Sequence, residues 1–303
     1  MRAPRHWLGL FACVLVCAAW RWPEQPRFST GVDLTTFSVS AVDRRGGLVT
    51  GLTREDFEVI EDGKAQAIEF FAHGDGAAAP PMHVGLMVDA SGSMERGMKL
   101  AQGAAIKFLN LLPNAADITL VDFDTQVRIT RYPQRDFPRL VERIRQRKAD
   151  GFTALYDALG TYLDGADGQD GRTVLVMYTD GGDTRSALSF SETLNLLKAS
   201  NVTVYAIGLL EHAGSARLQL QMTLRQIAEV TGGQAFFPSG MDDIDGAYDK
   251  VLAEITSQYH LGYQSTATST NGAWRKVEIK VKRPGIRVRS RQGYFGPYKP
   301  PGG

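Results

Sequence analysis

HVGLMVDASGS, residues 83–93, is the stretch that decides the fold. Positions 83–88 are almost continuously apolar, which suits a strand buried on both faces rather than one alternating between core and water. The run stops at Asp89 and passes into Ala90-Ser91-Gly92-Ser93. In an open α/β sheet, ligands collect beyond the carboxyl ends of the strands, which is where this acid would stand. Asp89 offers a hard anionic oxygen, Ser91 and Ser93 offer two neutral oxygens, and Gly92 lets the backbone turn between them. Hard oxygens in that number suit magnesium, manganese or calcium and are wrong for copper or zinc. Taken alone, the same loop also reads as a serine-rich cap on the next helix.

Outward from this strand, the grammar is strands alternating with amphipathic helices. Residues 98–112 carry Ala101, Ala104, Ala105, Phe108, Leu111 and Leu112 at helical spacing. Strands are predicted at 118–123, 127–131, 173–178 and 202–208. Helices are predicted around 140–144, 153–163, 192–198, 217–230 and 242–255. That alternation implies an α/β fold, a doubly wound and mostly parallel sheet with helices on both faces. Two more segments fall at the expected ligand edge. Gly151-Phe152-Thr153-Ala154-Leu155-Tyr156-Asp157-Ala158-Leu159 opens a helix with a threonine, and Thr179-Asp180-Gly181 follows an apolar strand with an acid.

Together, D-x-S-x-S, G-x-T-A-L-x-D-A-L and T-D-G, in this order and spacing, resemble the von Willebrand factor type A (VWA) domain with its metal-ion-dependent adhesion site. The resemblance covers about residues 82–258. It implies that Ser91, Ser93 and Thr153 offer hydroxyls to a divalent cation, with Asp89 and Asp180 binding directly or through water. It also implies magnesium, or manganese or calcium, as the cofactor and a protein partner that completes the coordination with an Asp or Glu carboxylate. In some relatives the threonine enters and leaves the coordination sphere as affinity changes. A carboxylate from the partner would form a desolvated, charge-assisted contact at the centre of the interface. Asp183, Asp157, Asp122 and Asp124 read as loop acids outside the ligand set.

The flanks are β-structure. Residues 28–73 form a small β-unit with a hairpin at Asp62-Gly63 and a further strand at 67–71. A Gly/Ala/Pro linker spans 74–81. Strands return at 259–263, 276–282 and 286–290, within a C-terminal β-segment of 259–296. Neither flank has enough strands to stand alone, so the two are expected to pack together as one β-sandwich unit. The basic residues between Arg275 and Arg291 read as a solvated β-face. VTGLTREDFEVIEDGKAQAIEFF before the domain and WRKVEIKVKRPGIRVRSRQGYF after it resemble a group of exported bacterial VWA-related proteins. That wider likeness sharpens the architecture more than the function.

Arg2 and Arg5 precede an apolar run of 14 residues, 7–20, and Cys17-Ala18-Ala19 offers small residues for cleavage. This order predicts a signal peptide over 1–19, since a spanning helix wants roughly 18–20 residues. Cys13 and Cys17 are the only cysteines. The mature chain would then lack cysteine, which excludes disulfides, cysteine ligands and cysteine nucleophiles. The net charge is +1 and falls to about −1 on cleavage, so nothing favours nucleic acid or an acidic membrane. The histidines show no ligand spacing. No H-E-x-x-H, G-x-S-x-G or P-loop pattern appears.

The sequence therefore predicts an exported protein, periplasmic, secreted or envelope-associated, that binds a protein through a metal, has no catalytic residues and does not insert into the membrane after cleavage. Two alternatives stand beside it. One is a structural envelope scaffold whose metal site is vestigial or purely stabilising. The other is a magnesium-dependent phosphoryl-transfer enzyme, disfavoured because Ser91 stands where such a site wants another carboxylate.

Overall fold

The structure, a computed structural model, describes residues 34–76, 78–112, 114–211 and 213–298. The expected signal peptide and His212 lie outside them. The chain opens with strands β1 (Thr35–Val42), β2 (Phe57–Glu61), β3 (Lys64–Gln66) and β4 (Phe70–His73). There follow β5 (Met82–Asp89), α1 (Met98–Leu111), β6 (Ala115–Phe123), β7 (Val127–Pro133), α2 (Phe137–Gln146), α3 (Leu155–Ala166) and β8 (Arg172–Thr179). Then come α4 (Phe190–Ala199), β9 (Val202–Gly208), α5 (Arg217–Glu229), β10 (Gln234–Phe236) and α6 (Met241–Ser257). The last strands are β11 (Tyr259–Tyr263), β12 (Trp274–Val281), β13 (Arg287–Arg289) and β14 (Gly293–Phe295).

The apolar run at 83–88 lies in β5, near the middle of a six-stranded sheet ordered β10-β9-β8-β5-β6-β7. Its neighbours β6 and β8 are parallel to it, and only β7, folded back on β6, is antiparallel. Its side chains serve two cores. Val84, Leu86 and Val88 pack with Phe108, Ile144, Tyr248 and Val251, whereas Met87 packs with Leu155, Leu159 and Leu224. Burial on both faces explains the missing alternation, and each such residue contributes about 1.5–3 kcal/mol. Gly85 faces Tyr162, whose ring leaves no room for a side chain: a Cβ there would sit 2.4 Å from it.

The flanks form two four-stranded sheets, β13-β1-β11-β4 and β14-β12-β2-β3, around a shared core that includes Phe37, Val39, Phe57, Tyr259 and Ile279. Strands from the two ends of the chain interleave: β1 lies between β11 and β13, and β2 pairs with β12. Asp62 and Gly63 both have positive φ, 46° and 82°, the signature of a tight hairpin matched to strand twist. The strand expected at 67–71 is instead broken. β3 pairs with β2 in one sheet and β4 with β11 in the other, so residues 67–69 are the crossing between sheets. The short strands β10 and β14 were not expected from the sequence.

The basic stretch is also corrected. Arg275 is buried beside Glu61 at 3.7 Å. Arg291 donates to the Thr36 and Ser200 carbonyls and lies 4.5 Å over the Phe37 ring. Arg289 pairs with Glu254, and Arg283 with Asp56 at 2.7 Å. Lys276, Lys280, Lys282, Arg283 and Arg287 are exposed and match the solvated reading, whereas Arg275, Arg289 and Arg291 do not. No described helix is long and apolar enough to cross a membrane.

The sandwich contacts the amino end of the central strands. Arg172, the first residue of β8, donates to the Ile255 carbonyl at 2.9 Å and to His260 Nε2 at 3.2 Å. Ser40 of β1 donates to Glu254 at 2.7 Å, and Gln258 donates to the Tyr205 hydroxyl at 3.1 Å. The eight residues of β8 place its carboxyl end roughly 25 Å from this junction, so the opposite edge is left clear.

Candidate metal centre

Asp89, the last residue of β5, is wholly buried. Its Oδ1 accepts the Ser91 N–H at 2.9 Å and its Oδ2 accepts the Thr179 hydroxyl at 2.6 Å. The Thr179 oxygen in turn accepts the Gly181 N–H at 3.0 Å. Past Ser91 the chain makes a single 3-10 turn, Gly92–Met94, which brings the Ser91 and Ser93 hydroxyl oxygens to 3.1 Å. Two neutral oxygens so close present a paired face to one small cation.

A second loop is stitched to the first. The Asp150 N–H donates to the Ala90 carbonyl at 2.8 Å, and the Gly92 N–H to the Gly151 carbonyl at 3.0 Å. Gly151 has φ +75°, and a Cβ there would lie 2.5 Å from Thr125 Oγ1, so this position needs glycine. Thr125 Oγ1 also accepts the Phe152 N–H at 2.9 Å. Thr153 is buried, and its main chain is clamped by Thr184: its N–H donates to Thr184 Oγ1 at 3.0 Å, and its carbonyl accepts the Thr184 N–H at 2.9 Å. The third loop starts at Asp180, half-buried after β8, whose Oδ1 accepts the Gly182 N–H at 3.0 Å. The Asp180 charge is felt at Asp89.

The electrostatics of Asp89 are unbalanced. Burial raises its pKa, hydrogen bonds from Ser91 and Thr179 lower it, and Asp180 raises it again; the carboxyl ends pushed up to about 6. Among the described residues no Lys, Arg or His makes an ion pair with it. A bound cation would reverse that balance. The donor set fits a hard divalent ion: two carboxylates and three hydroxyls, all oxygen. Among the described residues no group of three or more His, Cys, Asp or Glu could hold a metal.

Several residues do more than the sequence reading gave them. Thr179 holds Asp89, a role the T-D-G motif contains but spacing alone does not assign. Asp157 accepts the Ala187 and Leu188 N–H groups, both at 2.9 Å, and so fixes loop structure as expected. Asp183 is more than a solvated acid: it accepts the Ser186 hydroxyl at 2.6 Å and the Tyr156 N–H at 3.3 Å. Asp122 and Asp124 are not loop acids in solvent. Both are buried and ion-paired to Arg128, Arg143 or Arg147.

The family model for the von Willebrand factor type A domain matches residues 83–250. No curated protein matches the chain. Among solved structures, von Willebrand factor type A from Catenulispora acidiphila is 13% identical, with 90% of this chain and 76% of that one covered and a TM-score of 0.49. The vWF domain of the type V pili tip protein Mfa5 from Porphyromonas gingivalis is 13% identical, with 58% and 95% covered and a TM-score of 0.49. Proximal thread matrix protein 1 from the mussel byssus, with a zinc occupied MIDAS motif, is 19% identical, with 61% and 48% covered and a TM-score of 0.46.

Proposed function

The chain belongs to the von Willebrand factor type A domain family, and on that premise we propose that it is an exported, non-catalytic binding protein that engages a protein partner through one divalent cation. Asp89, Ser91, Ser93, Thr153 and Asp180 hold the ion. It is magnesium by abundance, with manganese and calcium as the alternatives. The observation that carries this reading is the condition of Asp89: a buried carboxylate served only by neutral donors, with a second carboxylate nearby and no cationic side chain paired to it among the described residues. Three of the five donors are neutral hydroxyls, so a partner's Asp or Glu that fills an open coordination position makes a strong, charge-assisted contact. Ser91, a neutral hydroxyl where phosphoryl transfer would want an acid, supports binding over catalysis. The charged start and short apolar run support export, and intact mass from the native host should show cleavage near Ala19.

A scaffold with a stabilising ion is the second reading. The observation in its favour is that the three loops are already braced by protein hydrogen bonds. Calorimetric titration with magnesium, manganese, calcium and zinc, followed by capture from envelope extracts with and without chelator, separates the two. Metal binding with metal-independent capture, or none, favours the scaffold with a stabilising ion; absence of metal binding overturns the ion-mediated reading and leaves only a scaffold whose site is vestigial.

A further inference from the structure

A pocket of about 130 Å³ adjoins the proposed ion site, between the start of α1, the loop after β9 and the segment before α6. Two of the proposed ligands, Ser93 and Asp180, belong to its wall. Its apolar lining includes Met94, Leu100, Leu209, Leu220 and Pro238. Besides Asp180, which the proposed ion would offset, its charged lining is Arg96 and Glu211, one of each sign, so neither sign is favoured in an occupant. It is too small for a whole ligand, since cofactor and drug sites run to about 300–1,000 Å³. A neutral side chain on the same segment as an ion-bound carboxylate fits that combination of size, lining and position.

We propose that this pocket is the specificity half of a bipartite site: it takes an aliphatic side chain of the partner next to the Asp or Glu that completes the cation's coordination. The inference rests on the binding role proposed above and adds the sequence character of the partner, an acid beside an aliphatic residue. Gly97 gives a way to fill the pocket. Its backbone, φ −88° and ψ −14°, suits any residue. A Cβ there would meet Met94 Cε at 3.7 Å and Leu209 Cδ1 at 3.8 Å, ordinary contacts.

The test uses the full chain and capped tetrapeptides in which aspartate is preceded or followed by Gly, Leu, Lys or Glu. Binding is read by saturation-transfer NMR in magnesium and in chelator. One of the two leucine peptides should bind roughly tenfold tighter than its glycine counterpart, the worth of burying about half a leucine. Lysine and glutamate should gain nothing. Gly97→Leu should bring the leucine peptide down to the glycine level, while the glycine peptide keeps its magnesium-dependent signal. Leu100→Ala, which enlarges the pocket, should shift the preference from leucine to phenylalanine in a matched phenylalanine peptide. Magnesium-dependent binding that ignores the flanking residue, or a leucine preference that survives both variants, overturns the pocket and leaves the ion-mediated reading standing. Equal signals in magnesium and chelator for every peptide overturn both.

Discussion

Strands β5 and β6 lie side by side, with Val88 opposite Asp122 and Asp89 opposite Phe123, and both end in buried carboxylates. They are served differently. Asp122 and Asp124 meet three guanidinium groups: Arg147 reaches Asp122 at 3.1 Å and also pairs with Asp124, Arg143 reaches Asp122 at 3.3 Å, and Arg128 reaches Asp124 at 3.2 Å. Burial opposes ionisation of Asp124, but the Gln126 amide, Arg128 and Arg147 outweigh it and hold its carboxyl below the usual range. One strand away, Asp89 is more deeply buried and receives only an amide and hydroxyls, so burial wins. Among the described residues, three arginines serve one acid pair and none serves its neighbour, so the proposed metal site would meet the charge on Asp89 from outside. The contrast in partners separates the two acids where burial alone cannot.

The sharpest way to break this comparison is to remove each acid in turn. Asp89→Ala should lower magnesium affinity at least a hundredfold, because the remaining carboxylate cannot offset the cost of dehydrating the ion. Asp122→Ala should leave magnesium titration within a fewfold of the parent. The stability effects should run the other way. Asp122→Ala strands guanidinium groups and should cost about 2–3 kcal/mol in urea unfolding, discounted from the fully buried case because Arg143 is nearly half exposed. In chelator, Asp89→Asn should unfold no earlier than the parent, since it removes a buried charge that nothing balances. If both acids behave alike in both assays, the distinction drawn between them is empty.

Which parts of this were legible beforehand follows from what a sequence displays. β5 and β8 announced themselves through unbroken apolar runs, and the ligand candidates through small polar residues just past those runs. The arginine cluster did not show. Arg128 and Arg143 stand 4 and 21 positions from their acids in sequence, and helical spacing on α2 says only that Leu140 and Ile144 face inward. β10 and β14, three residues each, carry too little periodicity to read. The break at 67–69 was hidden because a strand that changes sheets keeps its β-prone composition. Thr184, which clamps Thr153, sits in a Gly/Ser/Thr loop where nothing but the fold picks it out.

A milder contrast lies between the two ends of the sheet. At the amino end, His260 is buried against Arg172; burial and then the Arg172 charge drive its pKa down to about 3. The Arg172 guanidinium can only donate, so Nε2 accepts and the ring is neutral. An unfolded histidine takes up its proton near 6.5. Between pH 6.5 and 3 the unfolded chain therefore binds a proton that the folded chain refuses, and stability falls as pH drops, by up to about 1.4 kcal/mol per unit. His260→Gln, whose amide oxygen can still accept from Arg172, should flatten that part of the acid limb in urea titrations. An unchanged limb would mean that the junction tolerates a charged imidazole.

The smallest effect expected is at Thr153, and it tests whether the ion site depends on every ligand alike. The Thr153 main chain is held by Thr184 and Arg185 through bonds that do not involve its hydroxyl. Thr153→Ala should therefore leave the loop where it is and remove one neutral oxygen. Water replaces such a ligand at a cost of about 0–2 kcal/mol, so magnesium affinity should fall by no more than about thirtyfold, short of the loss of at least a hundredfold at Asp89. Partner affinity should suffer more than metal affinity, since the replacing water must be ordered in a closed interface. Parallel titrations with magnesium alone, and with an aspartate peptide at saturating magnesium, give the two ratios. Equal loss in both would make Thr153 an ordinary ligand. A metal loss as large as that of Asp89→Ala would show that the hydroxyls, not the carboxylates, carry the site.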